Sequence, residues 1–221
     1  MDDRRFVASI YSNLLKCYGQ RGWWPAETNF EVFVGAILTQ QTSWGNVEKA
    51  INNLKNTGAL SMDSIADATP ARISRLIKPS GYYRQKAARL VGACRRIKHD
   101  YGSLEGLFAL STKDLREALL SLNGIGKETA DSILLYGAGR PVFVVDAYTT
   151  RIMCRLSNRF KGMNYDLLQE YFMLNTRKSA RLYNDFHAQL VELGKRHCRA
   201  KPVCPGCPLA HMCEYARGRA Q

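Results

Sequence analysis

The sequence has no apolar run of membrane-spanning length, no low-complexity segment and no evident internal repeat. Acidic residues are scarce: 19 Asp and Glu stand against 32 Lys and Arg, which gives a formal net charge of +13. This excess of positive charge indicates a polyanionic partner, and nucleic acid fits it better than a membrane surface. With 221 residues, 46% of them hydrophobic, the chain can bury a substantial core in one or two small domains.

Cysteines are concentrated near the C-terminus. Four of them fall within sixteen residues with the spacing C-x5-C-x2-C-x5-C, namely Cys198, Cys204, Cys207 and Cys213. Disulfides would need an oxidising compartment, and no signal peptide opens the sequence. Zinc held by four thiolates is an alternative, although such sites more often show two separated C-x-x-C pairs. A [4Fe–4S] cluster is wider than one metal ion and suits one close pair with two longer spacers, so we favour a cluster.

Two glycines, Gly124 and Gly126, bracket Ile125 between two amphipathic stretches. This pattern is typical of a tight turn between helices whose backbone must approach another group closely. A second helix is expected to continue through Thr129, so the amides of Gly126 and Lys127 would lie near its N-terminus, where they suit a phosphate oxygen. An ordinary turn between helices with a glycine cap is the alternative.

A single acid, Asp146, follows the apolar run 142–145. A carboxylate in such surroundings is either a helix cap or a working group, and the two roles are compatible. The run could pass for a strand, but it is short and has no partner.

Helical spacing of apolar residues predicts a chain that is nearly all helix. The predicted helices are Phe6–Tyr18, Phe30–Leu38, Val47–Leu54, Pro70–Ile77, Arg84–Tyr101, Leu115–Leu122, Glu128–Tyr136, Ala147–Leu156, Asp166–Leu174 and Ala180–Gly194. The remaining cysteines lie in helical apolar patterns and are expected to be buried: Cys17, Cys94 and Cys154. We expect structural or phosphate-facing roles for His187 and His197 rather than catalytic ones.

Together these features resemble the helix-hairpin-helix DNA glycosylase superfamily, in its endonuclease III branch. The resemblance is carried by the hairpin Leu122–Gly126, by Asp146, by the segment Leu38-Thr-Gln-Gln-Thr42 and by the cysteine loop. They occur in the family's order and cover about residues 25–215. The family's common cysteine spacing is C-x6-C-x2-C-x5-C, so the first spacer here is one residue shorter.

The resemblance implies an all-α fold of two helical lobes with a DNA-binding cleft between them. Residues 28–140 would form a central lobe with the helix-hairpin-helix motif, and residues 1–27 plus 141–221 a terminal lobe with the iron–sulfur loop 198–213. The implied partner is double-stranded DNA with a damaged base flipped out, bound by a cytoplasmic, nucleoid-associated monomer. The implied DNA-binding residues are Gln41, which would fill the gap left by the flipped nucleotide, with Gly124, Ile125, Gly126, Lys127 and Thr129.

The catalytic residue implied by the resemblance is Asp146. Breaking an N-glycosidic bond builds positive charge on the sugar, which a fixed carboxylate stabilises, and the same carboxylate can activate water. Bifunctional relatives carry a lysine two residues beyond the second hairpin glycine, where it forms a Schiff base. This chain has Glu128 there, and the neighbouring Lys127 is rotated by about 100° on a helix. The sequence therefore predicts a monofunctional enzyme.

Tryptophans dominate the predicted base pocket. Trp23 and Trp24 precede Pro25, and Trp44 follows the Gln40-Gln41 element. An electron-rich aromatic slot suits a flipped base, especially an alkylated purine that carries positive charge, although packing is the alternative for one of the paired tryptophans.

One subgroup, the bacterial endonuclease-III-like 3-methyladenine DNA glycosylases, shares these details, and its resemblance adds Glu128 and Lys195 to the pocket. Its known members need not carry a cluster. The sequence leaves open two alternatives to an alkylated purine glycosylase: an enzyme for uracil or thymine mispaired with guanine, and a non-catalytic module that binds damaged DNA.

Overall fold

A computed structural model describes residues 2–218 of the chain. Thirteen α-helices lie within this range, and no strand does, which confirms the all-α prediction. The helices are α1 (Asp3–Tyr18), α2 (Asn29–Leu38), α3 (Trp44–Asn56), α4 (Met62–Asp67), α5 (Pro70–Leu76), α6 (Tyr83–Tyr101), α7 (Leu104–Phe108), α8 (Thr112–Ser121), α9 (Lys127–Ser132), α10 (Ala147–Leu156), α11 (Tyr165–Asn175), α12 (Ala180–Arg196) and α13 (Glu214–Arg217). None of the helices between residues 2 and 218 is long and apolar enough to cross a membrane.

The described residues divide into two compact units. One unit is Ala26–Arg140, and the other combines the residues up to Pro25 with those from Pro141 onward. We call them the central unit and the terminal unit. The central unit holds α2 to α9, a 3₁₀ segment (Lys78–Ser80) and a π-helical segment (Ile133–Gly137).

Helix α6 is the main packing element of the central unit. It packs against α2, α4, α5 and α7. Its buried face carries apolar residues at helical spacing, and the same face includes one charged residue, Lys86. Helix α2 is buried over residues 31–38, so it forms the centre of this unit's core. Short polar caps begin several neighbouring helices: the side chains of Thr28, Ser61, Thr69, Ser103 and Ser111 each accept a backbone N–H in the following turn.

The terminal unit is built on α12. Helices α1 and α10 pack against α12. The core contains an aromatic cluster in which Phe143 stacks on Phe172 with ring centroids 4.1 Å apart, and Phe186 meets both rings edge-on. Phe143 belongs to the extended run 142–145, which is buried without forming a sheet ladder. This run leads directly into Asp146 at the start of α10.

Two parts of the local structure differ from the sequence-based expectations. Helices α4 and α7 were not predicted, because six and five residues are too few to display helical periodicity. The prediction that Cys17, Cys94 and Cys154 are all buried is wrong for Cys17, which is exposed near the end of α1, and Cys154 is only half-buried.

Candidate active site and DNA-binding elements

Asp146 is the N-cap of α10. Its Oδ1 accepts a 2.7 Å hydrogen bond from the backbone N–H of Thr149, which satisfies one of the free amides of the first turn. The other oxygen, Oδ2, lies 3.6 Å from Nε2 of His187, which comes from the buried face of α12. The cap therefore fixes the carboxylate while it leaves Oδ2 directed toward a second polar group.

Electrostatics keep Asp146 ionised. Burial alone would raise its pKa, but the electrostatic effect of the neighbouring His187 and the hydrogen bond from Thr149 outweigh it and lower the pKa below its usual range. The side chain keeps 13% of its surface exposed, so a reactant can reach a carboxylate that is otherwise enclosed. Sequence reasoning gave His187 a structural or phosphate-facing role, and no sequence signal placed it beside Asp146.

The junction of α10 and α12 depends on Gly194. A Cβ added there would lie 2.2 Å from Cδ1 and 3.0 Å from Cβ of Tyr148, which stands two residues after Asp146. The ring of Tyr148 is itself stacked by the guanidinium of Arg151, 5.0 Å from the ring centroid. The absence of a side chain at Gly194 thus lets the first turn of α10 approach α12 closely.

The paired tryptophans are held by α12. The backbone N–H of Trp23 donates a 3.2 Å hydrogen bond to Oδ1 of Asn184, and the rings of Trp23 and Trp24 lie 6.0 Å apart at 58°. Nζ of Lys195 lies 5.5 Å from the centroid of Trp23. The terminal unit thus brings Lys195 and the tryptophans together, with the exposed Pro25 next in the chain. The two other predicted pocket residues, Trp44 and Glu128, belong to the central unit: Trp44 begins α3, and Glu128 is exposed on the first turn of α9.

The predicted hairpin is present between α8 and α9. Gly124 has a positive φ of 82°, a conformation that favours glycine, and a Cβ there would lie 2.3 Å from Cδ and Nε of Arg89, so a side chain would have to displace the end of Arg89. Ile125 is buried, whereas Gly126 and Lys127 are exposed and Thr129 is buried. A bidentate ion pair between Arg116 of α8 and the fully buried Asp131 of α9 joins the two helices, at 2.7 and 3.0 Å.

The glutamine-rich turn after α2 is tied to this hairpin. Nε2 of Gln40 donates to the carbonyl oxygen of Gly124 at 2.9 Å and to Oγ1 of Thr129 at 3.1 Å, and Nη1 of Arg89 donates to Oε1 of Gln40 at 3.2 Å. Gln41, which is predicted to enter DNA, is exposed and adopts a positive φ of 54°. The two predicted DNA-binding elements therefore form one hydrogen-bonded structure.

The four clustered cysteines line one cavity in the terminal unit. The cavity holds about 380 Å³ free of protein atoms, part of it open to solvent, and Cys198, Cys204, Cys207 and Cys213 all contribute to its wall. All seven cysteines of the chain are free thiols. Burial raises the pKa of Cys207, and the other three thiols add to this effect. Within residues 2–218, no group of three or more His, Cys, Asp or Glu side chains could hold a single metal ion.

Arg155 of α10 braces the cysteine loop. Its guanidinium donates to Sγ of Cys198 at 3.3 Å and to the carbonyl oxygens of Arg199 and Ala200 at 2.6 and 2.9 Å, and it stacks on Tyr215. Four thiols around one cavity are a donor set that fits a metal group held by sulfur ligands.

Comparison with known proteins identifies the family. The sequence of residues 34–177 matches the family of HhH-GPD superfamily base excision DNA repair proteins. The chain belongs to this superfamily. A Methanocaldococcus jannaschii protein named as a candidate DNA repair glycosylase, MJ1434, is 46% identical over 96% of this chain and 99% of its own length.

Solved structures agree with this placement of the HhH-GPD chain. The H. pylori 3-methyladenine DNA glycosylase MagIII, bound to 1,N6-ethenoadenine, is 32% identical, with a TM-score of 0.75 over 89% of this chain and 98% of that one. A trapped covalent intermediate of endonuclease III with DNA matches all of both chains with a TM-score of 0.85 at 21% identity, so it shows the shared fold alone. These findings make the chain a base excision repair DNA glycosylase of the HhH-GPD superfamily, and its fold is that of proteins solved in complex with DNA.

Proposed function

We propose that this glycosylase is monofunctional and hydrolyses the N-glycosidic bond of an alkylated purine, such as 3-methyladenine, in double-stranded DNA. The observation that carries the proposal is the fixed and ionised Asp146. Positive charge grows on the sugar as the bond breaks, and a carboxylate that is already oriented stabilises it without reorganisation. The same carboxylate can accept a proton from the attacking water.

The absence of a lysine at position 128 supports the monofunctional mechanism. Glu128 cannot form a Schiff base, and it is exposed on the first turn of α9, one residue from Lys127. Without a covalent enzyme–sugar link, the strand stays intact after the base has left. The product would be an abasic site that breaks only on later alkali treatment.

The contact between Lys195 and Trp23 bears on the substrate class. A cationic alkylated purine such as 3-methyladenine is a good leaving group, so its excision needs no protonating acid, and its flat ring suits the tryptophan pair. An ammonium beside Trp23 adds positive charge to that wall, which opposes a cationic base more than a neutral one. The likeness to a 3-methyladenine glycosylase solved with ethenoadenine supports both cationic and neutral modified purines as substrates.

The proposal includes a [4Fe–4S] cluster held by Cys198, Cys204, Cys207 and Cys213. When bound, the cluster would fold residues 198–213 and so present their Lys and Arg side chains to phosphate. Replacing Cys207 by Ser should lose iron and acid-labile sulfide and weaken DNA binding, without a change in which base is excised. Cys17→Ser alters an exposed thiol outside the cavity and should keep both the iron and sulfide content and the DNA affinity of the wild type. Stoichiometric zinc in place of iron, or full DNA affinity in iron-free Cys207→Ser, would contradict this role.

The mechanism is tested by single-turnover excision from a duplex that holds one 3-methyladenine. Wild-type enzyme should release the base, give strand breaks only after alkali, and form no adduct that borohydride traps. Asp146→Asn should lower the rate constant by about 10² or more, since a charged group is lost at the reacting centre. Asparagine caps a helix as well as aspartate does, so the first turn of α10 should be kept, and the loss of rate in folded protein can be assigned to the charge.

Glu128→Lys provides the positive control for the Schiff-base argument. This variant restores an amine at the position of the family's lysine, and we expect it to yield a borohydride-trapped adduct. Trapping of wild-type enzyme, or breaks without alkali, would refute the monofunctional mechanism.

A further inference from the structure

Within residues 2–218, two non-glycine residues have a positive φ. They are Gln41, at 54°, and Tyr82, at 44°. Left-handed backbone is disfavoured for residues with a Cβ, and it persists only where the surrounding structure holds it. Both side chains are exposed, and Tyr82 exposes 66% of its surface, which is unusual for a large aromatic. The central unit therefore holds two strained turns that present their side chains to solvent.

A single buried ammonium connects these turns. Lys86 is 2% exposed, and its Nζ donates to the carbonyl oxygen of Leu38 at 2.8 Å and to that of Ser80 at 2.7 Å. Leu38 ends α2 three residues before Gln41, and Ser80 stands two residues before Tyr82. The two turns are some forty residues apart in the sequence, yet one side chain donates to the backbone that leads into each of them.

Core packing does not explain a lysine at this place. Burial, with a smaller contribution from the charge of Arg89, lowers the pKa of Lys86 to about 8. An apolar side chain of similar length would fill the same space without the cost of removing a charge from water. What methionine or leucine could not do is donate hydrogen bonds to two carbonyl groups at once.

The next turn of α6 extends the same connection. Arg89 is three residues after Lys86, so both side chains leave one face of the helix. Arg89 donates to Gln40, which in turn donates to the hairpin at Gly124. One helix thus fixes the turns of Gln41 and Tyr82 and the hairpin.

We infer that Lys86 is a positioning residue that locks the turns of Gln41 and Tyr82 into one rigid arrangement, so that both side chains meet the distorted DNA together. This inference rests on the proposed function, since it gives the two turns a common DNA partner.

The brace itself is tested by hydrogen exchange of the full-length protein without DNA. The variant is Lys86→Met, and the matched control is Arg95→Met. Arg95 is also a cation of α6 that donates to two carbonyl oxygens, those of Ala66 at 2.7 Å and Ala68 at 3.0 Å, and both belong to the C-terminal end of α4 rather than to either turn. Amides at 39–42 and at 81–83 should exchange about tenfold faster in Lys86→Met, and in Arg95→Met they should exchange as in wild type. Faster exchange in only one turn, or in neither, would overturn the inference.

The consequence for DNA is tested with a duplex that holds a tetrahydrofuran abasic analogue and with the matching intact duplex. Wild type should prefer the analogue, and Lys86→Met should lose about tenfold of that preference, because a small displacement of a positioned group is costly. Arg95→Met carries the same change of charge and should keep the preference. Equal losses in both variants would overturn the inference. If wild type did not prefer the abasic analogue to the intact duplex, the proposed function would be contradicted. The role of Lys86 in holding the two turns would then be tested by hydrogen exchange alone. If Lys86→Met fails to fold, Lys86→Gln, whose uncharged amide is one bond shorter than the lysine side chain, replaces it in both assays.

Discussion

Gly194→Ala tests whether the close approach of α10 to α12 sets the position of the catalytic carboxylate. The added Cβ would lie 2.2, 2.8 and 3.0 Å from Cδ1, Cγ and Cβ of Tyr148. These atoms include the root of the side chain, so ring rotation alone cannot relieve the overlap, and α10 has to move. Overpacking of this kind costs about 2–3 kcal/mol, and the better helix propensity of alanine returns about 1 kcal/mol. The free energy of unfolding should therefore fall by about 1–2 kcal/mol.

The assay pairs denaturant unfolding with single-turnover excision. Because Asp146 caps the turn that must move, the rate constant should fall by about tenfold or more even where the protein is fully folded. Gly92→Ala is the control: Gly92 lies within α6, and a Cβ there meets nothing within 4 Å, so this change should stabilise the protein by about 0.5–1 kcal/mol and leave the rate unchanged. If Gly194→Ala behaved like Gly92→Ala in both assays, the reasoning about the α10–α12 junction would be refuted.

Three further predictions follow from the charges. The pKa of Asp146 is lowered in the folded state, so its contribution to stability is complete above about pH 4 and is lost as the pH falls through the folded-state pKa. The excision rate should therefore show no titration of Asp146 between about pH 5 and 8. A fall in rate toward acid within that range, absent in Asp146→Asn, would contradict the lowered pKa. Asp131→Asn leaves the Arg116 guanidinium without its buried counter-charge and should lower stability by about 3 kcal/mol in denaturant unfolding, whereas a change below about 1 kcal/mol would show the pair to be dispensable. Lys195→Met removes the ammonium beside Trp23 and should raise the ratio of the excision rate for cationic 3-methyladenine to that for neutral ethenoadenine. An unchanged or lower ratio would show that the charge of Lys195 does not act on the bound base.

The longer helices could be predicted from the sequence because each buries a stripe of apolar residues at helical spacing. Helix α10 was predicted at its observed bounds, since Asp146 both ends the apolar run and supplies the cap. The helix after the hairpin was predicted as one element, but it changes to π-helical geometry at Ile133–Gly137, which apolar spacing does not encode. Helices α4 and α7 are held by their caps, Ser61 and Ser103, and by tertiary packing rather than by a visible period.

The chemically informative contacts lie beyond sequence reasoning because they join distant parts of the chain. His187 stands 41 residues from Asp146, and Lys195 stands far from Trp23, so nothing local signals either pair. Lys86 occupies a helix position whose neighbours suggest a solvated basic face, yet it is buried. By contrast, Gly124 could be found from sequence, because a glycine between helices has few explanations other than a left-handed turn or a close approach, and here both apply.

The central claim is tested most directly by excision from a panel of duplexes, each with one lesion, with and without alkali. The panel holds 3-methyladenine, hypoxanthine, ethenoadenine, uracil or thymine opposite guanine, thymine glycol and 8-oxoguanine. The account predicts release of alkylated purines, with breaks only after alkali, and a rate constant lower by about 10² or more for Asp146→Asn. Preferred activity on mispaired uracil or thymine, cleavage without alkali, or no excision from any duplex would contradict it.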